Sequence, residues 1–205
     1  MEKTAESVLF VPEDYFRRLR PGELFGVATD RPLEVDLGSG DGTFLVEMAA
    51  HFPERDFLGV ERLLGRVRKI CRKAARRELK NVKVLRLESA YTVEWLLPAN
   101  AVSRMHLLFP DPWPKKRHHR RRLVDGEFLR GAAAVLRPDG ALYFKTDNEE
   151  CFEAALEEVT RSGLFMSAGW PASGDFYSET DFEGQWKDED KPIHQRCWVK
   201  VAGEH

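Results

Sequence analysis

The sequence predicts a single α/β domain built on a doubly wound, mostly parallel sheet with helices on both faces. From residue 31 onward, short apolar runs of strand length alternate with longer amphipathic runs of helix length. The first apolar run is followed at once by a glycine-rich turn and a helix. No internal repeat or linker divides the 205 residues, a length that suits one domain with a buried core.

Composition favours a globular protein without a membrane span. Hydrophobic residues make up 42% of the chain and charged residues 32%, a balance that argues against wholesale disorder. The sequence shows neither a transmembrane run nor the cationic start and apolar core of a signal peptide. Three widely spaced cysteines without Cys-x-x-Cys spacing indicate reduced thiols rather than disulfides or a zinc site. We therefore expect a cytoplasmic protein without a metal.

Residues 1–30 are predicted to form an N-terminal arm, and residues 31–205 the domain. The arm holds one predicted element, a short amphipathic helix from Val11 to Arg20 that ends at Pro21-Gly22. A covering segment is the favoured role for the arm, and a lid or docking arm is the alternative.

Twelve elements are predicted within the domain. The predicted strands are 33–37, 56–60, 81–87, 105–109, 141–145, 163–170 and 193–201. The predicted helices are 43–51, 63–79, 91–97, 123–136 and 149–161. This order gives a seven-stranded, mostly parallel sheet whose last strand is antiparallel. An irregular acidic loop, 175–190, is expected between the last two strands.

The strand, glycine turn and helix over 33–51 resemble the nucleotide-binding opening of a Rossmann-like sheet. Gly38 and Gly40 permit the tight turn and a close approach of the ligand to the backbone. The spacing is Gly-x-Gly-x-Gly rather than the pyrophosphate form Gly-x-Gly-x-x-Gly, so the turn alone is a weak signal. Asp36 strengthens it, because a carboxylate just before the turn is placed to hold a ligand ammonium. The sequence contains no Gly-x-x-x-x-Gly-Lys-[Ser/Thr], which argues against a P-loop.

Two further acids follow strands of the predicted sheet. Glu61 ends the second strand, 23 residues after Gly38, where an acid accepts hydrogen bonds from ribose hydroxyls. The alternative is a surface acid at the start of the next helix, where the helix dipole favours a negative charge. Because a glycine turn precedes Glu61, ribose binding is the favoured role. Glu88 ends the third strand, where nucleoside-binding sheets place a polar group for the base.

The fourth strand runs into a loop that combines a carboxylate, an aromatic ring and positive charge. Pro110 and Pro112 fix φ and remove backbone donors, so the strand must stop there. Asp111 is thereby held at the carboxyl end of a strand, where open α/β sheets place their ligands. Trp113 offers a stacking surface, with core packing as the alternative. Six Lys or Arg and two His then fill residues 115–122.

Positive charge is concentrated in two stretches, although the net charge of the chain is −2. The stretch 62–80 carries nine Lys or Arg against one acid, and the run 115–122 carries six. Attachment of the second run to Pro-Asp-Pro-Trp favours a nucleic-acid substrate that meets a catalytic loop. The alternative is a solvated surface or a localisation signal. For the helix in 62–80, RNA contact and a solvated face weigh about equally.

These features together resemble one family, the bacterial tRNA (guanine-N7-)-methyltransferases, which are S-adenosylmethionine-dependent and Rossmann-like. The resemblance rests on Asp36 with the glycine turn, on Glu61, and on Phe-Pro-Asp-Pro-Trp followed by Lys-Lys-Arg-His-His-Arg-Arg-Arg. It covers roughly residues 30–200, and the Pro-Asp-Pro-Trp signature is its specific part. It implies methyl transfer from S-adenosylmethionine, without a metal, to N7 of a guanosine in the tRNA variable loop.

The resemblance also implies roles for individual residues. The implied cofactor-binding residues are Asp36, Gly38, Gly40, Glu61, Glu88 and Asp111. Asp111 is also the implied catalytic residue. The implied substrate-binding residues are Lys115, Asp147, Thr180, Asp181, Phe182 and Glu183. The expected partner is tRNA, bound through Lys115 to Arg122 and the basic helix in 62–80, and a monomer is slightly favoured.

Three positions depart from the family pattern. Glu88 replaces the usual Asp, Asp181 replaces a usual Lys or Arg, and residues 184–190 replace a glycine-rich tail. Two alternatives therefore stay open. Pro-Asp-Pro-Trp is also similar to the Asp-Pro-Pro-Tyr loop of methyltransferases that act on exocyclic amino groups of adenine or cytosine. The second alternative is an RNA-binding relative with altered catalysis. The basic run disfavours a small-metabolite methyltransferase.

Overall fold

The structure is a computed structural model that describes residues 7–20, 22–26, 30–112, 122–171 and 175–201. The strands are β1 Leu9–Phe10, β2 Leu33–Leu37, β3 Asp56–Val60, β4 Val82–Leu85, β5 Val102–Leu108, β6 Leu136–Thr146, β7 Phe165–Ala168 and β8 His194–Lys200. The helices are α1 Thr43–His51, α2 Leu64–Arg76, α3 Ser89–Tyr91, α4 Gly126–Val135, α5 Glu149–Ser162 and α6 Asp181–Asp188. A π-helical turn, Thr92–Leu96, continues α3.

The strands form one sheet in the order β1-β4-β3-β2-β5-β6-β8-β7. All pairs from β1 to β6 are parallel, and β8 is antiparallel to both of its neighbours. The predicted α/β class and the antiparallel last strand are thereby confirmed. The strand order reverses between β2 and β5, and open α/β sheets bind ligands outside the carboxyl ends of the strands at such a switch point.

Helices cover both faces of the sheet. One apolar cluster includes side chains of α4, α5 and the π-helical turn, and a second includes side chains of α1 and α2. Val35 and Leu37 of β2 belong to the first cluster and are almost fully buried. The central strands, whose carboxyl ends carry the site, therefore lie between two packed layers of helices. Among the described residues, no helix combines the length and apolar character needed to cross a bilayer.

The N-terminal segment differs from the prediction. Residues 11–20 form turns and irregular structure rather than a helix, and Leu9–Phe10 adds an eighth strand beside β4. The physical reason lies at the end of the π-helical turn, whose carbonyl groups need donors. The Arg18 guanidinium donates to the carbonyls of Leu97, at 2.6 Å, and Glu94, at 2.7 Å. The irregular backbone at this point lets the segment satisfy those groups.

The acidic segment also differs from the prediction, because it contains helix α6 instead of an irregular loop. The Thr180 hydroxyl caps the helix by accepting from the Glu183 N–H at 2.9 Å. Asp181 and Glu183 in the first turn complement the positive end of the helix dipole. Thr-x-x-Glu is the sequence pattern of a capping box, so the signal for this helix is present in the sequence.

Strand β6 is longer than predicted, because it begins at Leu136 and includes Pro138-Asp139-Gly140. Leu136 pairs with Val102 and Ala141 pairs with Arg104, so the residues between them form a bulge within the strand. The three cysteines are buried and free.

Candidate active site

Two adjoining cavities lie at the carboxyl ends of β2 to β5, at the switch point of the sheet. The larger has a volume of about 510 Å³ and the smaller about 70 Å³. Both are lined by Gly38, Arg66, Leu108 and Phe182. We refer to the two cavities together as the cleft. Its larger part falls within the volume range of small-molecule and cofactor sites.

The glycine turn forms the floor of the cleft between β2 and α1. Gly38 donates its N–H to the Val60 carbonyl at 2.8 Å, which ties the turn to β3. Gly40 has a φ of 56°, in the left-handed region that favours glycine. At Gly42 a Cβ atom would lie 2.6 Å from Cγ1 of Ile70, so only glycine permits the close approach of α1 and α2. The turn is therefore set by packing as well as by ligand access.

Asp36 lies beneath this turn with 4% of its surface exposed, and it lines the smaller cavity. Burial raises the pKa of the Asp36 carboxyl to about 7, with the nearby negative charge of Glu61 adding to the effect and Ser39 opposing it. Among the described residues, no cationic side chain pairs with Asp36. A buried carboxylate without a cationic partner costs free energy, and a cationic ligand group would reduce that cost.

Glu61 is held at the end of β3 by two backbone donors. Its Oε2 accepts from the Gly40 N–H at 3.1 Å, and its Oε1 accepts from the Leu63 N–H at 2.7 Å. The Arg66 guanidinium lies 3.7 Å from Oε2. Each carboxylate oxygen has more than one acceptor site, so these contacts fix the side chain and leave capacity for hydroxyl donors of a ligand.

Glu88 and Asp111 lie on the larger cavity and are both exposed. Glu88 is the N-cap of α3, where its Oε2 accepts from the Tyr91 N–H at 2.9 Å. Its backbone position is therefore fixed by the helix that it begins.

The loop that carries Asp111 starts with a strained residue. Strand β5 ends at Leu108, one residue earlier than predicted, and Phe109 follows with a φ of 53°. A bulky residue in this region is an outlier that persists only where the surroundings hold it. The Phe109 N–H donates to the Lys145 carbonyl at 2.8 Å, and Pro110 fixes the next φ. The chain thus turns sharply and sets Asp111 on the edge of the cleft.

The tetrad Thr180 to Glu183 is divided between the cleft and the interior. Thr180, Asp181 and Phe182 line the smaller cavity. Glu183 is 5% exposed, and both of its carboxylate oxygens lie 2.8 Å from the Lys145 Nζ. This buried pair fastens the first turn of α6 to β6. Its contribution to substrate binding stays a prediction.

Other predicted site residues fall outside the cleft or outside the described residues. Asp147 is half-buried after the end of β6 and lines neither cavity. Lys115 and the rest of the basic run up to residue 121, together with Trp113, lie outside the described residues. Arg122 is described and donates to the Pro112 carbonyl at 3.1 Å and to Glu150 at 3.0 Å. Within the described ranges, no group of His, Cys, Asp or Glu side chains is placed to hold a metal ion.

Two residues of the site were not predicted from the sequence. Arg66 lines both cavities, and its position in the first turn of the helix after Glu61 is the signal that places it there. Lys145 supports α6 through Glu183, but the two are 38 residues apart, so no local pattern links them.

Comparisons with known proteins agree with this geometry. The family model Methyltransf_4, described as "Putative methyltransferase", matches residues 30–196. The tRNA (guanine-N(7)-)-methyltransferase of Halalkalibacterium halodurans is 39% identical over 77% of this chain and 70% of that protein. The corresponding enzyme of Thermotoga maritima is 35% identical over 82% of this chain, which spans only 53% of that protein.

Solved structures show the same fold at lower identity. The 16S rRNA methyltransferase KamB superposes with a TM-score of 0.61 at 20% identity, over 84% of this chain and 88% of that one. A 16S rRNA (adenine(1408)-N(1))-methyltransferase from Catenulisporales acidiphilia gives a TM-score of 0.61 at 18% identity, over 91% and 95% of the two chains. The match of the family model and the identity to curated relatives show that the chain belongs to the tRNA (guanine-N(7)-)-methyltransferase family.

Proposed function

We propose that this protein transfers the methyl group of S-adenosylmethionine to N7 of a guanosine in the variable loop of tRNA. The observation that carries the proposal is the cleft itself. It joins a buried, unpaired carboxylate at a glycine turn, Asp36, to an exposed carboxylate on a Pro-Asp-Pro loop, Asp111. Membership of the family supplies the reaction class. A cytoplasmic location and a monomeric state are part of the proposal.

The donor groups of the cleft suit S-adenosylmethionine. Asp36 and Asp181 give the smaller cavity a negative lining, which fits the ammonium of the methionine part. Glu61, fixed by two backbone donors, is placed to accept from the ribose hydroxyls. Glu88 lies on the larger cavity, where it can accept from the amino group of the adenine. When bound, the cofactor supplies an electrophilic methyl group on a sulfonium.

The protein's task in this reaction is orientation rather than proton removal. Guanine N7 already carries an in-plane lone pair, so no side chain must act as a base before attack. Holding N7 in line with the methyl group contributes mainly through proximity. The residues at the edge of the cleft therefore contribute by holding the base where N7 can attack the methyl group.

Asp111 is the residue that we assign to guanine. Its carboxylate can accept from the N1–H and N2–H₂ groups and balance the positive charge that develops on the purine. Asp147 is the second candidate for this contact, since it follows the neighbouring strand β6. Adenine lacks both donors, and a carboxylate that the bound base covers without pairing costs about 1–3 kcal/mol. The contact would thus select guanine as well as stabilise the transition state.

The tRNA contact that we propose includes one row of helix α2. Lys69 and Lys73 lie 3.0 and 2.6 Å from Asp41, which offsets part of the positive charge on that side of the helix. Arg68, Arg72 and Arg76 form a separate row at i, i+4 spacing, and all three are exposed. Among the described residues, no acid pairs with any of them. A row about 12 Å long of uncompensated guanidinium groups suits a phosphate backbone.

Replacing Arg68, Arg72 and Arg76 together by Gln is expected to weaken tRNA binding and to lower its salt dependence. Each lost phosphate contact reduces the slope of log affinity against log salt by about 0.7–0.9, so the triple variant should lose a slope of about 2–3. Fluorescence anisotropy with labelled tRNA at several salt concentrations measures this slope.

The control for the row is the variant Arg130, Arg137 and Arg161→Gln, which removes the same charge from α4, β6 and α5. It should leave the slope close to that of the wild type. Equal losses of slope in the two variants would show that net charge, and not the α2 row, determines binding.

The test of the proposed function is methyl transfer from labelled S-adenosylmethionine to unmodified tRNA transcripts. Borohydride and aniline treatment then cleaves the RNA at N7-methylguanosine. We expect cleavage at one guanosine of the variable loop. Label on an exocyclic amine of adenine or cytosine would replace the proposal by the amino-methyltransferase alternative. Cofactor binding without label in any RNA would instead indicate an RNA-binding relative.

A further inference from the structure

A buried chain of three polar side chains lies beneath the cleft, and the proposed chemistry does not use it. His106 of β5 is fully buried, with its Nε2 2.9 Å from Oε2 of Glu34 on β2. Its Nδ1 lies 2.8 Å from the hydroxyl of Tyr177, in the segment before α6. Three distant parts of the sequence meet in this chain.

The ionisation states of the two end groups follow from their surroundings. Although burial opposes it, His106, Arg104 and Arg55 lower the pKa of the Glu34 carboxyl, which is therefore an ionised acceptor. Burial, together with the charge of nearby Asp36, raises the pKa of the Tyr177 hydroxyl well above its ordinary value, so it keeps its proton. With Glu34 as the acceptor, His106 donates from Nε2 to Oε2, and its Nδ1 is the hydrogen-bond partner of the Tyr177 hydroxyl.

The chain connects the floor of the cleft to its wall. His106 is the register partner of Asp36 on the neighbouring strand. Tyr177 precedes Thr180 by three residues. Residues 180–182 form the wall of the cleft and line the same cavity as Asp36. Anchoring the Tyr177 hydroxyl to β5 therefore fixes where that wall stands relative to the glycine turn.

Aromatic packing around Tyr177 is separate from this hydrogen bond. Its ring centroid lies 5.2 Å from that of Phe44, 5.7 Å from that of Tyr143 and 5.1 Å from that of Trp170. These ring contacts do not need the hydroxyl. A substitution that removes only the oxygen consequently tests the chain without removing the packing.

We propose that Glu34, His106 and Tyr177 form a positioning chain that holds residues 177–182 in the shape that receives the cofactor. Tyr177 and His106 are positioning residues, since Tyr177 acts through the wall that follows it and His106 acts through strand β5. The proposal rests on the proposed function only for the identity of the ligand. The order of the wall in the free protein is independent of that identity.

The first test is Tyr177→Phe, which leaves His106 Nδ1 without its hydrogen-bond partner. We expect the Kd for S-adenosylhomocysteine to rise about tenfold, the size of one unpaired buried polar group. Hydrogen exchange of the free protein should accelerate in residues 177–188 and stay unchanged in β2 and β3. The ¹⁵N resonance of His106 Nδ1 should shift as well.

Tyr143→Phe is the matched control. It removes a hydroxyl from a ring stacked on the same His106, at a centroid distance of 5.2 Å, but that hydroxyl is not part of the chain. It should leave the Kd and the exchange of 177–188 close to wild type. Equal effects in both variants would show that the aromatic cluster as a whole, and not the chain, supports the wall.

A double-mutant cycle with His106→Phe gives the second test, because contacting residues in one network are not additive. If the chain acts as a unit, the double variant should bind no more weakly than the weaker-binding of the two single variants. Multiplied effects on the Kd, or an unchanged Kd and unchanged exchange in Tyr177→Phe, would overturn the proposal. These measurements use no RNA, so a failure of tRNA methylation in the wild type leaves them decisive.

Discussion

Asp111→Asn is expected to lower kcat for tRNA methylation by about 10²–10³, the loss seen when one preorganised electrostatic group is removed from an active site. Asparagine keeps the size of the side chain and removes its charge. Its amide nitrogen would also meet the N1–H and N2–H₂ donors of guanine, donor against donor. The loss should fall on kcat, because the developing charge on the purine exists only in the transition state. Single-turnover rates with saturating cofactor measure it.

Two further substitutions, Asp139→Asn and Asp147→Asn, are needed to interpret this result. Asp139→Asn changes an exposed acid in the bulge at the other end of β6, and its activity should match the wild type. Asp147→Asn tests the second carboxylate near the end of β6. A large loss in Asp147→Asn with near-normal activity in Asp111→Asn would move the guanine contact from Asp111 to Asp147. S-adenosylhomocysteine binding should change less than kcat in the Asp111 variant.

The parts of the fold that local patterns determine were predictable from the sequence. β2, the glycine turn and α1 have the bounds predicted for them, because an apolar strand, a left-handed turn and an amphipathic helix each leave a local signal. The carboxyl-end acids Asp36, Glu61 and Glu88 meet at one edge for the same reason, since parallel strands end together.

The parts that depend on distant partners were not predictable in this way. Helix α6 has a local capping signal at Thr180, but it has few apolar residues, and its stability also depends on the buried pair of Glu183 with Lys145. An acid-rich segment with a glycine favours a loop until that partner is known. Likewise, Glu34 gives no sign in the sequence that it ends a chain through His106, which is 72 residues away.

The cleft illustrates how a binding site opposes folding. Asp36 is the register partner of Gly59 and His106 in the centre of the sheet, and no described cation neutralises it. Its folded pKa of about 7 lies above the ordinary carboxyl value of 3.8. The folded state therefore binds the proton more tightly than the unfolded state between these values. The contribution of Asp36 to stability is full below about pH 4 and is lost as the pH rises toward 7, by on the order of 4 kcal/mol.

Asp36→Asn is accordingly expected to have two opposite effects. Asparagine carries no charge at any pH, so residue 36 should no longer lower the stability of the ligand-free variant between pH 4 and 7. The variant should therefore be more stable than the wild type at pH 8. Cofactor affinity at pH 8 should fall about 10–100-fold, because the hydrogen bond from the ligand ammonium loses its charged acceptor. Thermal unfolding and calorimetric titration with S-adenosylhomocysteine measure the two effects.

The pH dependence of binding separates this account from a general loss of structure. In the wild type, affinity should rise with pH through about 7, since an ammonium binds the ionised carboxylate and Asp36 must first lose its proton. The variant should show no such rise. A stabilised variant with unchanged affinity would mean that the ammonium is bound elsewhere, with Asp181 as the next candidate. A variant that is less stable at pH 8 would contradict the buried, unpaired state of Asp36, because removing such a charge can only relieve its cost.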